Sequence, residues 1–334
     1  MNQFPLPSSE LQVLTFLYAR MRLSPTDRNR LHNLSRGFEG ELKFYQLLKK
    51  HQTSKSINLF DLRLKVKQNE LQIDSLLIFQ ERVFLIEVKN FEGHYYVNQD
   101  KWYSIEPKSE IQNPLSQLKR SELLLVKFFQ QNGIHLPITP CLIFIHPEFI
   151  LYQAPYDKSI IFPGQLRRFI QSLNNTPDSI TREHREIQQV LSQQHIQQSS
   201  HVELPEYNFR KLKKGILCNH CGKLLTEANR VMMECKYCGN EERKEDAVIR
   251  SIYEFTLLFP DEKISVKNIH DWCGGSVPNK TIRRILANEL EKDGGGRSTS
   301  YILSEEMKYS FLNKMNWFSE DNFQSFNKCL LTFK

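Results

Sequence analysis

Long apolar runs are missing from this sequence. The longest, such as Leu123-Leu124-Leu125-Val126 and Cys141-Leu142-Ile143-Phe144-Ile145, fall far short of the roughly 20 residues that cross a bilayer. No transmembrane helix and no membrane partner are expected. Glycine and proline are scarce, at 13 and 14 of 334 positions, which excludes collagen-like and low-complexity architectures. The apolar stretch from Leu11 to Ala19 is preceded by Glu10 and by no basic segment, so a secretory leader is not expected and the cytoplasm is the expected location. Neither sign of charge dominates: 45 Lys and Arg against 38 Asp and Glu give +7, which tolerates a polyanionic partner without demanding one. What remains is a 40% hydrophobic, 25% charged composition over 334 residues, that of a globular chain with roughly two or three domains.

The seven cysteines are unevenly placed. Cys141, Cys273 and Cys329 are scattered, whereas Cys218, Cys221, Cys235 and Cys238 form two C-x-x-C pairs, each followed by a glycine, Gly222 and Gly239. Four thiolates are the soft tetrahedral donor set that Zn²⁺ prefers, and the glycines allow the tight turns that aim the sulfurs at one ion. A fully cysteinyl site leaves no open coordination position, so this zinc is expected to be structural. The segment resembles a zinc ribbon, a module with little core whose folding free energy comes largely from the metal, on the order of 10–16 kcal/mol.

From Phe4 to about Lys50 the pattern is helical, and Glu41, after Gly37-Phe38-Glu39-Gly40, is expected near the start of a helix. Phe60 to Lys67 alternates strictly with period two, as a half-buried strand does. Two further runs, Leu71–Phe79 and Val83–Lys89, read as a hairpin. After an irregular stretch around Gly93–Glu110 come a long helix, about Leu115–Gln131, with Asn113 and Pro114 at its start, and a short strand, Pro140–Ile145. Between Asn174 and Glu206 the chain is polar and Gln-rich and is expected to form a solvated helical linker, beginning near Thr176-Pro177-Asp178.

A symmetric loop at Gln80-Glu81 pairs Phe79 with Arg82 and so places Asp74 opposite Glu87. Opposed carboxylates in an antiparallel pair repel unless something neutralises them. A divalent cation would, and Lys89, two residues beyond Glu87, shares its face. Hard carboxylate oxygens suit Mg²⁺, which polarises a phosphoryl oxygen and activates a bound water, the equipment of phosphodiester hydrolysis. The competing reading makes Asp74 and Glu87 ordinary solvent-facing residues.

Gly37-Phe38-Glu39-Gly40-Glu41, Gln72-Ile73-Asp74, Ile86-Glu87-Val88-Lys89-Asn90 with Gly93, and Asn113-Pro114-Leu115-Ser116-Gln117 together resemble the nuclease-related domain (NERD) family, which is similar to the restriction-endonuclease-like PD-(D/E)xK nucleases. The resemblance implies an αβββαβ core, with Asp74 and Glu87 as acids that bind Mg²⁺ or Mn²⁺, Lys89 as the catalytic lysine, Glu41 as a helix-borne acid and Gln117 as a glutamine near the site. Ile73-Asp74 stands where the superfamily name has Pro-Asp.

Beside the cysteines, Arg210-Lys211-Leu212-Lys213-Lys214 is a basic run that could meet phosphates. Helices are expected over Ala247–Phe259, Ser265–Cys273 and from Pro278 to Leu290, then a turn through Gly294-Gly295-Gly296-Arg297 into Tyr301. That order looks like a winged helix, with Lys280, Arg283 and Arg284 on the third helix and Arg297 on the wing near nucleic acid. The expected organisation is a helical extension over 1–35, a nuclease-like α/β domain over 36–173, the linker over 174–206, the zinc ribbon over 207–243 and a winged-helix-like domain over 244–334. The expected function is metal-dependent phosphodiester hydrolysis, of DNA ahead of RNA. The alternative is an inactive nucleic-acid-binding or regulatory protein on the same fold.

Overall fold

The computed structural model describes residues 4–196, 204–295 and 299–304. The chain divides into two compact units, one of Asn33–Val202 with Met1–Leu6 and the other of Pro7–His32 with Glu203–Lys334.

Helix α1 (Ser9–Arg20) starts at Ser8, whose hydroxyl accepts from Leu11 N–H, and α2 (Pro25–His51) follows. Unbroken helix runs through both Gly37 and Gly40, so Glu41 lies well inside α2 and not near its start. The pair of glycines does not end the helix because Gly40 serves as a contact: a Cβ there would stand 2.8 Å from Asn90 Cβ. The division between units also falls inside this helix, so the segment expected as a separate extension is split between the two units.

The first unit is built on β1 (Ile57–Val66), β2 (Asn69–Ile78) and β3 (Val83–Lys89), then β4 (Gly93–Asn98), β5 (Lys101–Ser104), β6 (Ser109–Ile111), α3 (Pro114–Gln131), β7 (Ile138–Phe144), β8 (Phe149–Tyr152), β9 (Ile160–Ile161), α4 (Leu166–Asn174) and α5 (Arg182–Gln193). The main sheet has the order β1-β2-β3-β7-β9, antiparallel across the first three strands and parallel from β3 onward. Its α3 face buries Leu62, Leu64, Leu76, Ile78 and Leu85 against Leu118, Leu125 and Phe128. The opposite face buries Phe60, Leu77, Ile86 and Val88 against Phe44 and Leu48 of α2 and Ile170 and Leu173 of α4. Both faces are covered, and the near-continuous apolar character of β3 follows from that.

Three sequence expectations are corrected here. The stretch after Gly93 is not irregular; β4, β5 and β6 form a meander that β8 joins as a second sheet of order β6-β5-β4-β8. Its strands are only three to six residues long, too short for a periodic signal. Residues 182–193 are not a solvated linker, because Ile187 and Leu191, one helical turn apart, sink into the α3-face cluster. The helix also starts later than Pro177, at the Thr181 cap, while Pro177 carbonyl accepts from Gln80 N–H. In β1 the alternation breaks at Asp61: Phe60 lies in the α2-face cluster, whereas Leu62, Leu64 and Val66 lie in the other.

The second unit carries β10 (Thr226–Glu227), β11 (Met232–Glu234) and β12 (Glu241–Arg243) as a small antiparallel sheet. Helices α6 (Lys244–Leu258), α7 (Val266–Trp272) and α8 (Asn279–Glu289) follow, then the hairpin of β13 (Glu291–Asp293) and β14 (Ser300–Ile302). Ile264, before α7, bridges to Tyr301 at the side of that hairpin. Arg250 of α6 ties the small sheet down by pairing with Glu242 at 2.6 Å and donating to Leu217 carbonyl at 2.7 Å. In the core of this unit, Arg20 is 1% exposed, pairs with Glu254 through two hydrogen bonds of 2.6 Å and lies 3.9 Å from the Trp272 ring centroid.

Candidate active site

The β2–β3 hairpin has the register expected from its sequence: Ser75 faces Ile86, Leu76 faces Leu85 and Ile78 faces Val83, with Phe79 N–H donating to Arg82 carbonyl. Ladder pairing stops one step short of Asp74 and Glu87. There the strands part, and Asp74 Oδ2 accepts from Val88 N–H at 2.7 Å, so a side chain takes the place of a strand partner.

Glu87, 5% exposed, and Lys89 lie two apart on β3, and Lys89 Nζ is 2.7 Å from Glu87 Oε1. Gln117 projects from the first turns of α3, a helix started by Asn113, whose Oδ1 accepts from Leu115 and Ser116 N–H. Its Oε1 accepts from Lys89 Nζ at 3.0 Å and its Nε2 donates to Glu87 Oε1 at 2.6 Å. The three side chains close a triangle of charge-assisted hydrogen bonds.

Glu41 of α2 faces the same acids. Its carboxyl is held well above the usual carboxylate range by burial and then by the charges of Asp74, Asp61 and Glu87, with Arg63 opposing. Asp74 is pushed up to about 8, first by burial and then by Glu87, against Lys89 and the Val88 N–H. Carboxyls that share a buried region retain protons that isolated ones lose. The structure therefore gathers Glu41, Asp74, Glu87, Lys89 and Gln117, the five residues singled out in the sequence.

Two neighbours escaped sequence reasoning. Asp61, at φ +46°, lies between Phe60↔Ser75 and Leu62↔Ile73, level with Asp74 at the one step the β1–β2 ladder omits, and Arg63 Nε lies 3.5 Å from its Oδ1. The tight turn between Val66 and Asn69, read as a hairpin, would have paired the two aspartates from sequence.

Asp74 and Glu87 offer hard oxygen donors, of which only Glu87 has an ion-pair partner, in Lys89, and those donors fit a divalent cation. Among the described residues, Cys218, Cys221, Cys235 and Cys238 form a four-ligand group whose sulfurs all lie within 4.8 Å of one another. Cys218 and Cys238 sulfurs are 3.7 Å apart and Cys221 and Cys235 sulfurs 3.4 Å. A disulfide needs about 2 Å, whereas four Zn–S bonds of about 2.3 Å set tetrahedral edges of roughly 3.8 Å. This set could hold zinc in a ribbon.

On α8, Lys280, Arg283 and Arg284 are exposed. Arg284 is 3.4 Å from Glu245. Arg297 lies outside the described residues. The basic run at 210–214 is partly committed to packing: Lys214 Nζ stands 3.3 Å from the Phe209 ring centroid, and burial lowers it to about 8.

Residues 36–145 match the family model of the nuclease-related domain (NERD). No curated protein and no solved structure matches the chain. Among the described residues, no helix is long and apolar enough to cross a membrane.

Proposed function

We propose that the chain is a divalent-metal-dependent nuclease that hydrolyses phosphodiester bonds, with DNA as its substrate. The observation that carries this reading is the meeting of Glu41, Asp74 and Glu87 around Lys89 and Gln117 at the point where β2 and β3 part, within a segment matched to a nuclease-related domain. Asp74 and Glu87 would hold Mg²⁺ or Mn²⁺, which when bound polarises a phosphoryl oxygen and acidifies a coordinated water. Lys89 presents a fixed positive charge beside Glu87, placed to stabilise charge developing on the phosphate. Gln117 holds Lys89 and Glu87 in one geometry, so neither is free to swing when substrate arrives. Glu41 adds a third carboxyl facing these acids, one that burial and the neighbouring carboxylates hold well above the usual carboxylate range.

In this reading the zinc ribbon is structural, and α6, α7 and α8 with the β13–β14 hairpin form a winged-helix-like module that holds nucleic acid. The order of three helices and a hairpin, together with the exposed Lys280 and Arg283, supports it. The cytoplasm remains the proposed location.

Supercoiled, linear and single-stranded DNA, and RNA, are incubated with zinc-loaded wild type, Asp74→Ala and Lys89→Ala in Mg²⁺ or Mn²⁺. Metal-dependent cleavage lost in both variants is expected. A folded wild type that binds DNA but leaves all substrates intact would move the chain to the alternative, a nucleic-acid-binding protein on a nuclease-like fold.

A further inference from the structure

In a regular antiparallel pair, residues two apart along a strand share a face. Leu76 and Ile78 of β2 lie in the α3-face cluster, and so does Leu59 of β1. Unbroken alternation would therefore send Asp74, and Asp61 across the ladder from it, into the same apolar cluster. A carboxylate without partners is costly in such surroundings.

The chain avoids this at one point. Asp61 adopts φ +46°, the ladder omits the Asp61–Asp74 step, and pairing resumes at Leu62↔Ile73 in the register it had at Phe60↔Ser75. The apolar alternation restarts out of phase: Leu62 and Ile73 now occupy the α3-face cluster, each three residues from Leu59 and Leu76. One residue of each strand has left the pleat, and Asp74 reaches the gap beside β3, where it accepts Val88 N–H. A left-handed residue inside a strand is uncommon, and Asp and Asn are the residues besides Gly that reach it most readily.

We infer that Asp61 is the positioning residue for Asp74: its left-handed backbone takes one residue out of each strand and turns Asp74 from the apolar cluster toward Val88 N–H. The carboxylate of Asp61 is turned to Arg63 and to Gln72, whose Nε2 donates to it at 3.3 Å, so backbone conformation carries the effect. For its activity readout this inference rests on the nuclease reading above; its structural readout is independent of it.

The test uses the full-length, zinc-loaded protein as Asp61→Val, Asp61→Gly and Asp61→Asn. Two quantities are read: hydrogen exchange of the Val88 amide by NMR, and metal-dependent plasmid cleavage. A β-branched residue resists positive φ, so Asp61→Val is expected to lose about tenfold or more in both Val88 protection and cleavage. Gly and Asn, which accept that conformation, are expected to rescue both to within about threefold of wild type. Exchange across β3 and β7 away from Val88 shows whether the sheet is intact; if Asp61→Val does not fold, Asp61→Ala takes its place, with the same direction expected. Failure of Gly to rescue would assign the effect to the carboxylate, and unchanged Val88 protection in Asp61→Val would remove the backbone effect; either overturns the inference. If wild type does not cleave, the nuclease reading falls while Val88 exchange still decides this one.

Discussion

Asp74→Asn is expected to make the metal-free protein more stable at neutral pH while abolishing cleavage. Asn keeps an oxygen that can accept Val88 N–H, as Asp74 Oδ2 does at 2.7 Å, and removes a charge that the site disfavours. The folded carboxyl stands at about 8 against an ordinary 3.8. The folded state thus holds a proton that the unfolded state has released, and between those two values stability falls by up to 1.4 kcal/mol per pH unit. The sign follows: stabilisation by the retained proton is fully present below about pH 3.8 and is lost as pH rises through about 8. Between pH 3.8 and pH 7 the loss, before any allowance for solvent, amounts to about 4 kcal/mol. Asp74 is partly open to solvent, so a gain of about 1–3 kcal/mol is expected for Asp74→Asn at pH 7–8. The assay is urea-dependent hydrogen exchange of β2 and β3 peptides from pH 4 to 9, which reports this unit in the full chain. A stability difference that is absent at pH 8, or that does not shrink toward pH 4, would refute the reasoning.

Gly40→Ala places a Cβ 2.8 Å from Asn90 Cβ and is expected to cost about 1–3 kcal/mol and to lower cleavage by displacing Glu41 from β3. Gly37→Ala, with nothing within 4 Å, should raise stability by up to about 1 kcal/mol; thermal melts and plasmid nicking compare the two. Cys235→Ser is expected to drop zinc content from one ion per chain, by elemental analysis, and to raise exchange in β10, β11 and β12. Lys280→Ala with Arg283→Ala should weaken DNA binding and reduce the slope of log affinity against log salt by about two, measured by fluorescence anisotropy. Arg20→Met leaves Glu254 buried and unpaired and is expected to destabilise the second unit by about 3–5 kcal/mol in urea.

Legibility in the sequence followed the range of the interaction that decides each feature. The β2–β3 register was readable because two apolar runs flank a short polar loop, and that register brings Asp74 level with Glu87. Asn113 and Pro114 announced α3 through local capping chemistry. The interior position of Glu41 was not readable, since Gly37 and Gly40 look like a helix boundary until Asn90 supplies the contact that makes Gly40 necessary. Helix α5 was hidden because its two core residues, Ile187 and Leu191, stand among polar neighbours whose composition suggests solvent. At Asp61 period-two alternation gave a misleading answer: Phe60, Leu62 and Leu64 alternate perfectly, yet one left-handed residue puts Phe60 on the opposite face. A single backbone dihedral leaves no trace in hydrophobic periodicity.

The two units bury charge in different ways, and the difference separates support from chemistry. In the second unit Arg20 and Glu254 neutralise each other through two hydrogen bonds, with backbone carbonyls of Lys213 and Gly215 taking two further guanidinium donors. Nothing in that arrangement calls for a further ion. In the first unit Lys89 answers Glu87 and Arg63 answers Asp61, while among the described residues Glu41 and Asp74 have no ion-pair partner. Those two are the carboxyls whose titration is raised, in both cases first by burial and then by neighbouring carboxylates. Asp74, one of the two proposed metal ligands, is thus left without a cationic partner at a break in the sheet, with Glu41 beside it. A fold alone has no use for that imbalance, since apolar residues at positions 41 and 74 would pack at lower cost. The imbalance fits the proposed reading, in which a divalent cation beside Asp74 and Glu87 would neutralise charge that the side chains leave unbalanced.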